Sequence, residues 1–128
     1  MRTLAADLGT ALGGCAHLAE LRRLRVGSFG LDEAHTLEAV TADPEGVLLT
    51  PAAALRDLTE VVADGELRRG VAHGATFAAP ALLGAAGARS DAAGPFAVVD
   101  EHGELLAVYE RRGAGVKPTV VLAPQASS

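Results

Sequence analysis

Phe96-Ala97-Val98-Val99 and Leu105-Leu106-Ala107-Val108-Tyr109 flank the polar stretch Asp100-Glu101-His102-Gly103, and this arrangement decides the class of the fold. Two short apolar runs on either side of a glycine-closed polar turn read as a β-hairpin. Gly103 suits a positive φ in that turn. Beyond Pro118, Thr119-Val120-Val121-Leu122 is expected to add a final strand, with residues 125–128 as a frayed tail. On the other side, residues 78–94 are almost all Ala, Gly, Pro and Leu, with Arg89, Ser90 and Asp91 as the polar exceptions. That composition reads as a loose loop.

Further upstream the signals are helical. Asp64 is placed to cap a short helix through Arg68 and Arg69 that ends near Gly70 or Gly74. Thr50-Pro51 is a helix start, with threonine as cap and proline in the first turn, and Leu55 and Leu58 follow at helical spacing. Thr41-Ala42-Asp43-Pro44-Glu45-Gly46 is polar and broken by Pro and Gly, the composition of a linker. Before it, Asp32 is positioned to cap a helix containing Leu37 and Val40. Leu4, Leu8 and Leu12 recur every four residues and predict a helix over 4–12, ended by Gly13-Gly14. A second helix is expected over about 16–22, with Leu18 and Leu21 on one face. From 23 to 29 the period becomes two, which predicts a strand with Arg23 and Arg25 on one basic face. Residues 1–40, read as helix–helix–strand, are too few to bury their own apolar surface. Residues 47–124 read as a small α+β module large enough to fold alone, joined by the 41–46 linker.

Composition bounds the function classes. The chain has 128 residues, 49% of them hydrophobic, so it is not a disordered tail. Tryptophan is absent and Tyr109 is the one tyrosine, so the core is built from many small side chains. A single cysteine, Cys15, forms no internal disulfide and fits a reducing cytoplasm; it reads as a small buried residue. No signal peptide opens the sequence, and no apolar run approaches the roughly 18 residues of a membrane span. The net charge of −5 is uneven. Residues 1–29 carry Arg2, Arg22, Arg23 and Arg25 against Asp7 and Glu20, residues 30–66 carry nine acids against Arg56, and residues 67–128 are nearly balanced. An acidic total therefore does not exclude nucleic-acid binding by the basic clusters on either side.

Two blocks carry a family resemblance: Arg2-Thr3-Leu4-Ala5-Ala6-Asp7-Leu8-Gly9, and Ala16-His17-Leu18-Ala19-Glu20-Leu21-Arg22-Arg23-Leu24-Arg25-Val26-Gly27-Ser28-Phe29. In order, spacing and residue type they resemble the closing section of the catalytic domain of TruB-type tRNA pseudouridine synthases. A weaker likeness to the PUA-like C-terminal domain of actinobacterial members is carried by Leu67-Arg68-Arg69-Gly70, Gly94-Pro95-Phe96-Ala97-Val98-Val99, Gly103-Glu104-Leu105-Leu106-Ala107-Val108 and Lys117-Pro118-Thr119-Val120-Val121-Leu122. The resemblance implies a fold of two parts: a helix–helix–strand remnant of the catalytic domain over 1–40, then a PUA-like, barrel-like mixed module. It implies an enzyme that isomerises a T-loop uridine of tRNA without a cofactor. There an aspartate attacks the flipped-out nucleoside, and the base rotates and rejoins through carbon. The family's Gly-His-x-Gly-Thr-Leu-Asp-Pro motif, which holds that nucleophile, does not occur in this sequence. Met1 stands where the family has an apolar residue, and the tyrosine before it is missing. The chain thus begins inside a motif, and a truncated gene, a misassigned start codon or an assembly break is the expectation.

By the resemblance, Arg2 matches the arginine that pairs with the catalytic aspartate; the competing reading is a solvated terminal arginine. Leu21 matches a leucine of the uridine pocket, or is an ordinary core leucine. Arg22, Arg23 and Arg25 are candidate phosphate contacts, or a solvated face. Arg68 with Arg69, and Arg111 with Arg112 and Lys117, are the corresponding candidates of the second part. His17, in the Ala-His-Leu block, is a candidate at the RNA surface, with structural hydrogen bonding as the favoured role. No Cys or His stands near it at metal-ligand spacing, so no metal is implied. The expected partners are the T-arm and acceptor region of tRNA and the missing N-terminal catalytic part, with no membrane and no small-molecule cofactor. Three functions compete: the C-terminal portion of an isomerase, inactive alone; a freestanding PUA-like RNA-binding module; and the non-functional product of a truncated gene.

Overall fold

The computed structural model describes residues 1–85 and 93–122. The polar positions Arg89, Ser90 and Asp91, and the tail expected at 125–128, lie outside the described residues. The chain divides into two compact units, Met1–Ala34 and His35–Ser128.

The first unit opens with helix α1, Arg2–Ala11, close to the helix expected over 4–12. Its end is closed by backbone bonds, Gly13 N to the Thr10 carbonyl at 3.0 Å and Gly14 N to the Gly9 carbonyl at 2.9 Å, with Gly13 at φ +77°. The chain then doubles back across the helix at Gly9, the buried residue of α1. A Cβ at Gly9 would stand 2.5 Å from the Ala16 amide nitrogen and 2.8 Å from the Ala16 Cβ, so the crossing needs glycine. The helix expected over 16–22 does not form; residues 15–24 are irregular. A lone helix of seven residues is marginal without a face to pack on, and Leu21 remains 61% exposed. Nor is 23–29 one strand with a basic face. Gly27, at φ +57°, turns the chain, and strand β1 (Arg25–Val26) pairs antiparallel with β2 (Phe29–Gly30). A 3-10 turn, Leu31–Glu33, follows and contains Asp32, which therefore caps no helix.

The second unit begins with α2, Leu37–Ala42, which includes Leu37 and Val40 but is capped by Thr36, whose hydroxyl accepts a hydrogen bond from Ala39 N at 3.2 Å. The helix takes in Thr41-Ala42 of the proline-broken stretch, and the Asp43 carboxylate then accepts from Gly46 N. Helix α3, Pro51–Ala54, starts as expected, with Thr50 accepting from Ala53 N at 3.2 Å. There follow β3 (Thr59–Val62), α4 (Gly65–Ala72), β4 (Phe77–Ala78), α5 (Ala79–Ala85), β5 (Phe96–Val99), β6 (Leu105–Arg112) and β7 (Gly115–Val121). The five strands β3 to β7 form one curled sheet in the order β3-β5-β6-β7-β4. The expected hairpin is present as β5 and β6, antiparallel, with Gly103 at φ +80°. The last strand starts at Gly115 rather than after Pro118. The proline is tolerated because it lies beside a register shift between Val108 and Tyr109 in the facing strand. Strand β3 adds to β5 in parallel.

Residues 79–85, expected as loop, are helix α5, and alanine is the strongest intrinsic helix former. Leu82 and Leu83 on that helix are fully buried. They pack with Val61, Val71, Phe96, Val98, Leu106, Tyr109 and Val116 in one core. The fold class of the chain is α+β.

Candidate nucleic-acid interface

In the first unit, the return of the chain over Gly9 brings residues 18–23 beside the start of α1. Met1, Arg2, Thr3, Leu18, Ala19, Glu20, Leu21 and Arg23 line one open cleft of about 590 Å³. Three residues singled out from the sequence, Arg2, Leu21 and Arg23, thus meet at one place. Arg22 lies between two cleft residues and Arg25 on β1; both are exposed. None of Arg2, Arg22, Arg23 and Arg25 is ion-paired among the described residues. His17 is exposed, and no hydrogen bond reaches its ring among the described residues, so the structural role favoured for it is not seen. Cys15 is exposed rather than buried, because it sits on the irregular return segment of a unit with almost no core.

In the second unit three of the candidate cations, Arg68, Arg69 and Arg112, are engaged with carboxylates. Arg68 reaches the Asp100 Oδ2 at 3.4 Å, Arg69 pairs with Glu66 one turn earlier at 3.5 Å, and Arg112 with Glu110 at 3.5 Å. Lys117 stands directly across from Glu110 on the neighbouring strand. Arg111 and Arg112 are adjacent on β6, so they project to opposite faces of the sheet and do not act as one patch. Arg111 stands opposite Val116, which is buried, while Arg112 shares a face with Glu110.

Asp100 is the polar side chain buried with this core, at 4% exposure. Its Oδ1 accepts from His102 N at 2.9 Å and Glu104 N at 3.0 Å, which leaves Oδ2 facing Arg68. The Glu104 amide does most to hold its carboxyl below the usual carboxylate range, with the His102 amide and the Arg68 charge adding to it against the opposing effect of burial. Asp100 therefore fastens the hairpin turn and ties it to α4. The signal was legible, since aspartate opening a tight turn accepts backbone bonds from residues just ahead. Tyr109, fully buried, donates its hydroxyl to the Ala75 carbonyl at 2.8 Å, and burial pushes its phenol up to about 12. No helix among the described residues is long and apolar enough to cross a membrane. No group of three or more His, Cys, Asp or Glu side chains able to hold a metal ion is present among them.

A family model for the tRNA pseudouridylate synthase B C-terminal domain matches residues 2–64. The chain is 35% identical over 127 residues to the tRNA pseudouridine synthase B of Arthrobacter sp. (strain FB24), a match covering 97% of this chain and 40% of that protein. It is 36% identical over 124 residues to the synthase of the same name from Corynebacterium aurimucosum, covering 97% of this chain and 38% of the relative. A 45-residue match to the Bordetella parapertussis protein reaches 62% identity over 35% of this chain. These matches define the class: the C-terminal region of a tRNA pseudouridine synthase. The chain belongs to the TruB family and corresponds to the C-terminal part of its members. It spans about two fifths of the length of the curated relatives it matches.

Proposed function

We propose that this chain supplies tRNA-binding surface, and the arginine partner of a catalytic aspartate, to a cytoplasmic pseudouridine synthase acting on a T-loop uridine. In this reading Arg2 is the cation that keeps an aspartate nucleophile ionised, the aspartate belonging to an N-terminal catalytic part. Leu21 lines the pocket for the flipped-out base, with His17 near the RNA. Arg22, Arg23 and Arg25 contact phosphates of the T-arm and acceptor region. A PUA-like module over 47–124, joined through a 41–46 linker, adds RNA contacts through Arg68, Arg69, Arg111, Arg112 and Lys117. No cofactor takes part; the chemistry is covalent catalysis by a carboxylate followed by rejoining through carbon.

The observation that supports this reading is the convergence of Arg2, Leu21 and Arg23 on one cleft, beside arginines that no carboxylate of the described chain neutralises. A free guanidinium meets a phosphate without first breaking an internal ion pair, and each such contact releases counterions. Anisotropy titration with tRNA at several salt concentrations tests it. Binding is expected to be weak, because of the net charge of −5, and to fall steeply with salt. Equal affinity and equal slope for the chain with Arg22, Arg23 and Arg25 all changed to Ala would remove the arginines from the interface. The chain alone is expected to form no pseudouridine, since its sequence holds no Gly-His-x-Gly-Thr-Leu-Asp-Pro motif.

A further inference from the structure

Asp100 does more than close a turn. Its Oδ1 accepts two amides, from His102 at 2.9 Å and Glu104 at 3.0 Å, which fix the plane of the carboxylate. The other oxygen, Oδ2, stands 3.4 Å from Arg68 Nη2 on α4. The carboxylate is 4% exposed, whereas half of the Arg68 side chain is open to solvent. The other two ion pairs of this unit are built differently. Glu66 and Glu110, the partners of Arg69 and Arg112, are 95% and 45% exposed, so neither arginine is held against a buried group.

A long side chain loses rotamer freedom when a ligand fixes it, and that loss is subtracted from affinity. An arginine fixed from behind by a buried carboxylate has already lost it on folding. A guanidinium carries five N–H donors, and the Nη2 contact with Asp100 leaves others for a second acceptor. Phosphate oxygens match that planar fork. We infer that Asp100 is a positioning residue for RNA binding: it holds the Arg68 guanidinium against the hairpin turn, so that its outer N–H groups meet one phosphate of the tRNA backbone already oriented. The inference rests on the functional reading above, which counts Arg68 among the RNA contacts, and adds the residue that aims it. Asp64, Glu66, Glu101 and Glu104 are close in sequence and exposed. The contact is therefore one of short range and adds little long-range attraction.

Charge alone and positioning predict opposite signs. Asp100→Asn removes a negative charge beside the RNA, which by charge alone tightens binding. Positioning instead predicts binding weaker by about two- to tenfold. The test is anisotropy titration of the 128-residue chain with tRNA at several salt concentrations, amide exchange over 96–112 confirming that each variant keeps its sheet. Arg68→Ala is expected to weaken binding and to lower the salt slope by about one. In the Arg68→Ala background, Asp100→Asn is expected to weaken binding no further. Arg68→Lys keeps the charge without the fork, and is expected to lose most of the affinity that Arg68→Ala loses. This lysine variant decides alone if Asp100→Asn does not hold its fold. Unaltered or tighter binding by Asp100→Asn overturns the inference. So does equal weakening by Asp100→Asn with and without Arg68, or a lysine at 68 that binds as arginine does. The functional reading fails separately, on the titration of the Arg22, Arg23 and Arg25 variant, which leaves Arg68 and Asp100 in place.

Discussion

The two units use the same amino acids under opposite conditions. In the second, β5, β6, α4 and α5 enclose a continuous apolar core, and Arg68, Arg69 and Arg112 have each found a carboxylate of the same unit. In the first, the leucines face outward and the arginines remain unengaged among the described residues. A completed core brings its surface charges close enough to pair with one another. An incomplete one leaves both its apolar and its cationic groups available to something else. The groups left available for recognition are therefore those of the first unit.

The contrast is broken most directly in the core. Leu82→Ala, at a fully buried position, is expected to cost about 2–5 kcal/mol in urea unfolding. Leu8→Ala in the isolated chain should stay within about 0.5 kcal/mol, the range of surface changes. Equal costs would mean that the first unit has a core after all. Next in size is the charge effect. Changing Arg22, Arg23 and Arg25 to Ala should remove about two to three phosphate contacts and reduce the salt slope of tRNA binding by about that number. The same change at Arg69 and Arg112, whose charges are already paired, should alter the slope less. A larger effect there moves the RNA surface to the second unit.

Acid sharpens the comparison further. The folded-state pKa of Asp100 lies below its unfolded value, so its contribution is present above about pH 4 and is lost as pH falls through the lower folded value. The unfolding temperature of the second unit should hold down to about pH 4 and then drop. Asp100→Asn should start lower at neutral pH and converge with the unaltered chain in acid. Calorimetry across that range decides it, and parallel curves would show that Asp100 is not the group responsible. Smallest of all, Arg69→Ala should change stability by only about 0–1 kcal/mol, because its pair with Glu66 is solvent-exposed.

What was legible in the sequence was local. The Thr50-Pro51 helix start was readable because a threonine cap acts over three residues, and the β5–β6 hairpin because its turn and strands are contiguous. Strand β3 carries no local signal, since Thr59–Val62 becomes a strand only by parallel pairing with a segment that begins at Phe96. The helix expected over 16–22 had the spacing but no face to pack against, and spacing alone does not hold so short a helix. The alanine-rich run of α5 reads as a loop because it lacks polar punctuation, yet Leu82 and Leu83 give it a buried face. At the candidate site, the identities of Arg2 and Leu21 came from resemblance. Their meeting at one cleft depends on the fold-back over Gly9, a close approach that nothing in the helical spacing announces.

The buried phenol gives the molecule an optical label of its own. With no tryptophan and Tyr109 as the lone tyrosine, tyrosine fluorescence and phenolate absorbance report on the second unit alone. Residues 1–34 hold no tyrosine and no tryptophan, so a change of order confined to them is followed by amide exchange rather than by an optical label of their own. In an alkaline titration the phenolate band should appear only near pH 12 while the fold holds, and near the ordinary tyrosine value of about 10 once it has unfolded. One spectrum thus separates the melting of one unit from the binding events of the other.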